Sequence, residues 1–156
     1  MQDQDYPVEL TAPDIEPYRA GNTGVAFVTT FDSGKPGPHV MINAVTHGNE
    51  ICGAIALDKL FKAGVRPEQG QLSLGFVNHM AYSTFDPADP GAARFVDEDF
   101  NRVWVEERLD GPEDTAELRR ARELRPIFDN VDLLLDIHSM STYSKALMIN
   151  NGLDKE

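Results

Sequence analysis

His47, Glu50 and His138 are the residues of this sequence best suited to chemistry. His47 and Glu50 stand three apart in Ala44-Val45-Thr46-His47-Gly48-Asn49-Glu50-Ile51, which reads as a strand end, a tight turn and a helix start. Gly48 lies between them and has access to backbone angles closed to other residues. Side chains flanking such a turn converge beyond the strand's carboxyl end, where open α/β sheets bind ligands. An imidazole and a carboxylate meeting there suit zinc, for which two His and one Glu form a catalytic ligand set. The third ligand must come from another strand end, and His138 in Leu135-Asp136-Ile137-His138-Ser139 is placed to supply it.

Taken alone, His-x-x-Glu is a common spacing and carries little weight. Asp136 strengthens the case, because it falls on the same side of its strand as His138. A carboxylate beside a ligand His fixes the imidazole tautomer. The spacing leaves open whether Asp136 serves His138 or His47. A third stretch, Arg94-Phe95-Val96-Asp97-Glu98-Asp99-Phe100-Asn101-Arg102, offers two arginines and an asparagine. Arginine presents a planar fork that matches a carboxylate bidentately. The plainer alternative is that Arg94 and Arg102 pair with neighbouring acids.

Several elements must position these groups. Val25–Phe31 reads as a strand, and Asp32–Pro38 is dense in turn residues. His39–Val45 is nearly continuous apolar sequence, as in a strand covered on both faces. Glu50 to Ala63 reads as a helix with Ile51, Ala54, Ile55, Leu57, Leu60 and Phe61 inward, Asp58, Lys59 and Lys62 toward solvent, and Gly64 as its stop. Gly70–Asn78 alternates as the next strand, so a right-handed parallel crossover is expected. Residues 79–98 have no clean period and read as a long loop, followed by a helical turn at Asp99–Trp104. Asp114 to Arg125 reads as a helix ending near Pro126, with Arg119, Arg120, Arg122 and Glu123 exposed. Val131–Ile137 fits a central parallel strand and Lys145–Asn150 a further one. Residues 1–20, with Pro7, Pro13 and Pro17, read as an irregular arm.

The ordered set His47-Gly48-Asn49-Glu50, Arg94, Asp99-Phe100-Asn101-Arg102 and Asp136-Ile137-His138 resembles the succinylglutamate desuccinylase/aspartoacylase family of zinc carboxypeptidase-like hydrolases. The resemblance covers roughly residues 40–140. It implies an α/β fold with a mixed, mainly parallel sheet and helices on both faces. It implies one zinc ion per chain, held by His47, Glu50 and His138. Arg94 would polarise the scissile amide carbonyl and stabilise the oxyanion, and Asn101 and Arg102 would hold a substrate carboxylate. The implied reaction is zinc-dependent hydrolysis of the amide bond of an N-acyl amino acid, of the N-succinylglutamate or N-acetylaspartate type. Zinc lowers the pKa of its bound water to about 7, which suits hydrolysis at neutral pH.

Two departures stand out. The family has Asn-Pro after the third strand, where this chain has Asn78-His79. The family's general base is a glutamate well downstream of the last zinc histidine, and here the only Glu after His138 is Glu156. The expectation is therefore an N-terminal, truncated portion of the family fold, one domain over residues 1–156, that binds zinc and hydrolyses little by itself. The other readings are a metallocarboxypeptidase acting on peptides and a zinc-binding domain without catalysis. Among the remaining residues, Cys52 and His39 read as structural and Trp104 as a packing anchor. His79 is an outside candidate for substrate contact, and Tyr143 a weak one for the pocket.

Composition bounds the partners. The 156 residues suffice for one sizeable core, and 41% hydrophobic and 26% charged residues are ordinary for a globular protein. A net charge of -12 argues against nucleic acid or an anionic membrane as partner, but not against a small anionic substrate bound through a metal and arginines. A single cysteine, Cys52, and the absence of a signal-peptide pattern point to a reducing, cytoplasmic setting. A free strand edge would favour homo-oligomer formation.

Overall fold

A computed structural model describes residues 8–140, 145 and 147–149. Its centre is a pair of parallel strands, β2 (His39–Ala44) and β3 (Gln71–Phe76), with His39 opposite Gln71 and Ala44 opposite Phe76. β1 (Val28–Asp32) pairs antiparallel with β3, and β4 (Leu133–Ile137) runs parallel to β2, giving the order β1-β3-β2-β4. The sheet is mixed and mainly parallel, as expected.

The two faces follow from the period of two along each strand. Val40, Ile42 and Ala44 of β2 align with Leu72, Leu74 and Phe76 of β3, and helix α1 (Ile51–Lys62) packs on them through Ile51, Ala54 and Leu57. The opposite face presents Val28 and Met41, covered by Leu118, Ala121 and Leu124 of helix α4 (Ala116–Phe128). Helices thus lie on both faces. Two short helices, α2 (His79–Tyr82) and α3 (Glu106–Leu109), complete the set, with 3-10 turns at Glu16–Tyr18, Pro90–Ala93 and Phe100–Arg102. No helix among the described residues is long and apolar enough to cross a membrane.

α1 ends as the glycine predicts. Gly64 takes φ +65°, and the Val65 and Gly64 amides donate to the Leu60 and Phe61 carbonyls, satisfying the last turn. Asp58, expected on the solvent side, is instead buried, because Tyr18 and Lys62 donate to its two oxygens at 2.8 Å. Tyr18 belongs to the expected irregular arm, which is packed: its ring stacks on Phe61 and Phe76.

Other expectations shift. The first strand begins at Val28 because Phe27 has φ 61°, which breaks the extended path. The stretch 79–98 is not structureless, since it holds α2 and the Pro90–Ala93 turn. α4 runs past Pro126 to Phe128, since a proline in the last turn removes only one ladder bond. Arg120, expected on its exposed face, is buried at 1%, with its guanidinium donating to the carbonyls of Val77 and Ala26. β4 is an edge strand rather than a central one among the described residues. Leu133, Leu134 and Leu135 are 50%, 51% and 45% exposed, because nothing described pairs beyond β4 on that side. The expected strand Lys145–Asn150 and Tyr143 fall largely or wholly outside the described residues.

Candidate metal centre

β2 delivers His47 through an abrupt turn. The strand ends at Ala44, and buried Val45 takes φ 56°, a conformation that β-branched residues rarely adopt. Gly48 is required here, though not for a left-handed backbone. A Cβ on it would collide with main-chain atoms of Ala81, Ala93 and Tyr82, so the turn lies directly against two other segments. Glu50 occupies the N-cap position of α1, yet its side chain makes no capping bond and turns to the histidines instead.

One ligand atom from each of His47, Glu50 and His138 lies within 4.8 Å of the others. Nδ1 of His47 is 2.8 Å from Glu50 Oε1, and Nδ1 of His138 is 2.8 Å from Glu50 Oε2. His47 and Glu50 are buried, and His138 is the open member with 35% of its side chain exposed. Two buried donors and one at the surface describe a three-ligand cup with an accessible side.

The second nitrogen of each imidazole faces an aspartate. Nε2 of His138 lies 2.9 Å from Asp136 Oδ2, which answers which histidine Asp136 serves. Thr46 Oγ1 in turn donates to the Asp136 carboxylate at 2.9 Å. Nε2 of His47 lies 3.1 Å from Asp99 Oδ1. Asp99 stands 52 positions from His47 in the chain, so no local pattern marks it as the partner.

The electrostatics follow from these contacts. Burial pushes the Glu50 carboxyl upward, but hydrogen bonds from His138 and His47 outweigh it and hold the pKa at about 2. Burial likewise opposes ionisation of Asp99, and His47, the Asn101 amide and Arg94 bring it to about 2. Hydrogen bonds to Asp136 and Glu50 raise His138 to about 10, since both ring nitrogens face carboxylates. His47 has two arrangements. With the proton on Nδ1 it donates to Glu50, and Nε2 accepts from Arg94 at 3.0 Å. With the proton on Nε2 it donates to Asp99, leaving the Nδ1 lone pair facing Glu50 at 2.8 Å. In that second arrangement two imidazole Nδ1 atoms and the Glu50 carboxylate converge, a donor set that fits a zinc ion.

Arg94 reaches the cluster from the loop after the Pro90–Ala93 turn. Its Nη2 donates to Asp99 Oδ2 at 3.0 Å, its Nη1 lies 3.9 Å from Glu50, and 42% of its side chain stays exposed. Asn101 and Arg102 lie on the Phe100–Arg102 turn that Asp99 caps, and both are exposed. The Arg102 side chain bonds only the Asn101 carbonyl among the described residues, and no bond joins either residue to the His-Glu-His cluster. Cys52 Sγ is 3.8 Å from the His138 carbonyl oxygen, which places it beside the cluster. His79 packs on the Phe27 ring, and burial with nearby Arg120 and Arg19 lowers its pKa to about 4. His39 links Ser73 Oγ to the Asn130 carbonyl, and Trp104 packs on Phe100 and Phe128, as structural roles require.

Known proteins share this frame. The chain is 28% identical over 124 residues to an aspartoacylase of Xenopus tropicalis, covering 74% of this chain and 38% of that protein. It is 27% identical over 127 residues to an N-acyl-aromatic-L-amino acid amidohydrolase (carboxylate-forming) of Rattus norvegicus, covering 76% and 38%. The fold matches a succinylglutamate desuccinylase of Chromobacterium violaceum with a TM-score of 0.57 at 20% identity, over 74% of this chain and 37% of that one. The chain thus spans well under half the length of the relatives it matches. Residues 36–153 match the succinylglutamate desuccinylase/aspartoacylase catalytic domain, and the chain belongs to that family.

Proposed function

We propose that this chain carries the metal-binding and carbonyl-facing groups of a zinc-dependent hydrolase that cleaves the amide bond of an N-acyl amino acid. The observation that carries this reading is the cup of His47, Glu50 and His138, with an aspartate on the far nitrogen of each imidazole. The family membership supplies the reaction class. When bound there, zinc would supply Lewis acidity toward a carbonyl oxygen and toward water.

The chain's own residues would do the rest. Asp99 and Asp136 hold the two imidazoles so that each turns Nδ1 inward. Arg94, tied to Asp99 by one nitrogen and open over much of its side chain, faces the substrate carbonyl and meets the charge that grows on its oxygen. Asn101 and Arg102, exposed at the far end of the same loop, take the substrate carboxylate, for which the arginine fork is suited. These cations give an acidic protein a local site for an anion. The related aspartoacylase and aromatic amidohydrolase share the N-acyl amino acid as their class of substrate, and the side chain preferred by this chain is the finer variable.

The competing readings are a metallocarboxypeptidase acting on peptides and zinc binding without catalysis. Assays of the zinc-loaded chain on N-acetylaspartate, N-succinylglutamate, N-acetylphenylalanine and a short peptide separate the readings. Hydrolysis of an N-acyl amino acid, abolished by Arg94→Ala, is the expected result. Cleavage of the peptide alone would indicate a carboxypeptidase. Stoichiometric zinc with no turnover on any substrate would leave the binding role.

A further inference from the structure

A second buried carboxylate governs the loop that reaches the metal cluster. Glu117, in the first turn of α4, is fully buried. Its Oε1 accepts from Val96 N at 2.7 Å and from Asn78 Nδ2 at 3.2 Å, and its Oε2 accepts from Asp97 N at 3.0 Å and Glu98 N at 3.3 Å. A carboxylate is tolerated in such a place only when hydrogen bonds replace water. Glu117 caps nothing in its own helix, because Thr115 Oγ1 already accepts from Leu118 N at 3.1 Å. All three backbone amides it holds belong to the loop from Arg94 to Asp99.

That loop is fastened at both ends. Asp97 Oδ2 accepts from Ala116 N at 2.7 Å, and Glu98 Oε1 accepts from Thr115 Oγ1 at 2.7 Å, pinning it to the start of α4. On the other side the Arg94 carbonyl accepts from Gly48 N at 3.1 Å, and Asp99 lies 3.1 Å from His47. Asn78, just beyond β3, ties Glu117 to the sheet. Hydrogen bonds therefore run from the end of β3 through Glu117 to Val96, Asp97 and Glu98, and the covalent chain carries the path on to Arg94 and Asp99, the two loop residues that touch the His47 turn.

We propose that Glu117 is a positioning residue that sets Arg94 and Asp99 against the His47 turn, which rests on the reading of His47, Glu50 and His138 as a zinc site and Arg94 as its carbonyl-facing group. The side chain touches neither the cluster nor any substrate position. It acts by fixing where the loop sits. Glu117→Gln is isosteric, yet it turns one acceptor oxygen into a donor that faces other donors whichever way the amide is flipped.

Amide hydrogen exchange followed by NMR on the full chain tests this, with Glu117→Gln beside the core variant Leu124→Ala as a control for general destabilisation. The expected result in E117Q is a selective loss of protection at Gly48, Val96, Asp97 and Glu98, at least about tenfold relative to the amides of β2 and β3. Leu124→Ala should lower protection without that selectivity. Glu117→Asp keeps two acceptor oxygens but draws them back by one methylene, so it should show the same pattern in milder form, and it carries the test if E117Q does not fold. Zinc affinity supplies a second arm through the cycle of E117Q with Asp99→Ala, where a role exerted through Asp99 makes the double variant no worse than D99A alone. Unchanged Gly48 protection in the folded Glu117 variant, or losses in zinc affinity that multiply, would overturn the proposal. If the parent chain bound no zinc, the metal reading would fail, and the exchange pattern would still decide whether Glu117 positions the loop.

Discussion

Asp99 Oδ1 stands 3.1 Å from Nε2 of His47, on the opposite side of the imidazole from Glu50. Asp136 does the same for His138 at 2.9 Å. Such outer partners fix the tautomer and raise the basicity of the ligand nitrogen, and losing one costs roughly 10–100-fold in metal affinity. Asp99→Ala and Asp136→Ala should each weaken zinc binding within that range while leaving one site per chain. Competition against a chromophoric chelator measures both. Asp99→Ala should in addition free Arg94, whose Nη2 it holds at 3.0 Å.

Protons would compete with a metal at this site. His138 is raised to about 10 by Asp136 and Glu50, so in the metal-free chain it is protonated at neutral pH and zinc must displace that proton. Apparent zinc affinity should rise about tenfold per pH unit through the neutral range, read by titration calorimetry in buffers of different ionisation enthalpy. The same shifts set the stability of the metal-free chain. The raised His138 contributes stability that is complete below its ordinary value of 6.5 and is lost as pH rises through about 10. The depressed Glu50 contributes stability present above 4.5 and lost as pH falls through about 2. From these two groups, the melting temperature without metal should be highest between those limits and fall on either side.

Gly48 is a place where backbone meets backbone. A methyl group there would strike main-chain atoms of Ala81, Ala93 and Tyr82, none of which is a flexible side chain that gives way. Gly48→Ala should cost about 3 kcal/mol or more, at the upper end of overpacking effects. Thermal unfolding measures that loss. Zinc affinity should fall with it, since the same turn carries His47 and Glu50.

The strand–turn–helix around His47 and the parallel crossover after it were legible in the sequence, because a short apolar run, a glycine and a 3.6-residue period are local signals. The His138 strand end was legible for the same reason. Asp99 was visible as part of a motif but not as the partner of His47, since nothing local encodes a contact across 52 positions. Arg120 misled the reading of α4 as a helix with a charged outer face, and buried Glu117 carried no signal of its role. A period marks which side a residue lies on, but not whether a long polar side chain finds carbonyls or amides to satisfy it once buried. β4 read as a central strand because its apolar run resembles one; among the described residues it lies at the sheet's edge, and position within a sheet depends on what packs beside it.

Arg120 shows how much such a buried charge matters. Its Nε donates to Val77 O at 2.6 Å, one Nη to Ala26 O at 2.8 Å and the other to Glu123 at 2.9 Å. Arg120→Met keeps much of the volume but strands those carbonyls, and should destabilise by about 3 kcal/mol. Arg120→Lys should recover little, because one ammonium lacks the fork that reaches all three acceptors. Urea denaturation of both variants measures the difference.

The most direct measurement is the metal content of the purified chain by mass spectrometry, beside the double variant His47→Ala/His138→Ala. The account predicts close to one zinc per parent chain and almost none in the variant, with both chains folded by circular dichroism. Equal metal content in parent and variant, or no zinc in a folded parent after supplementation, would contradict it.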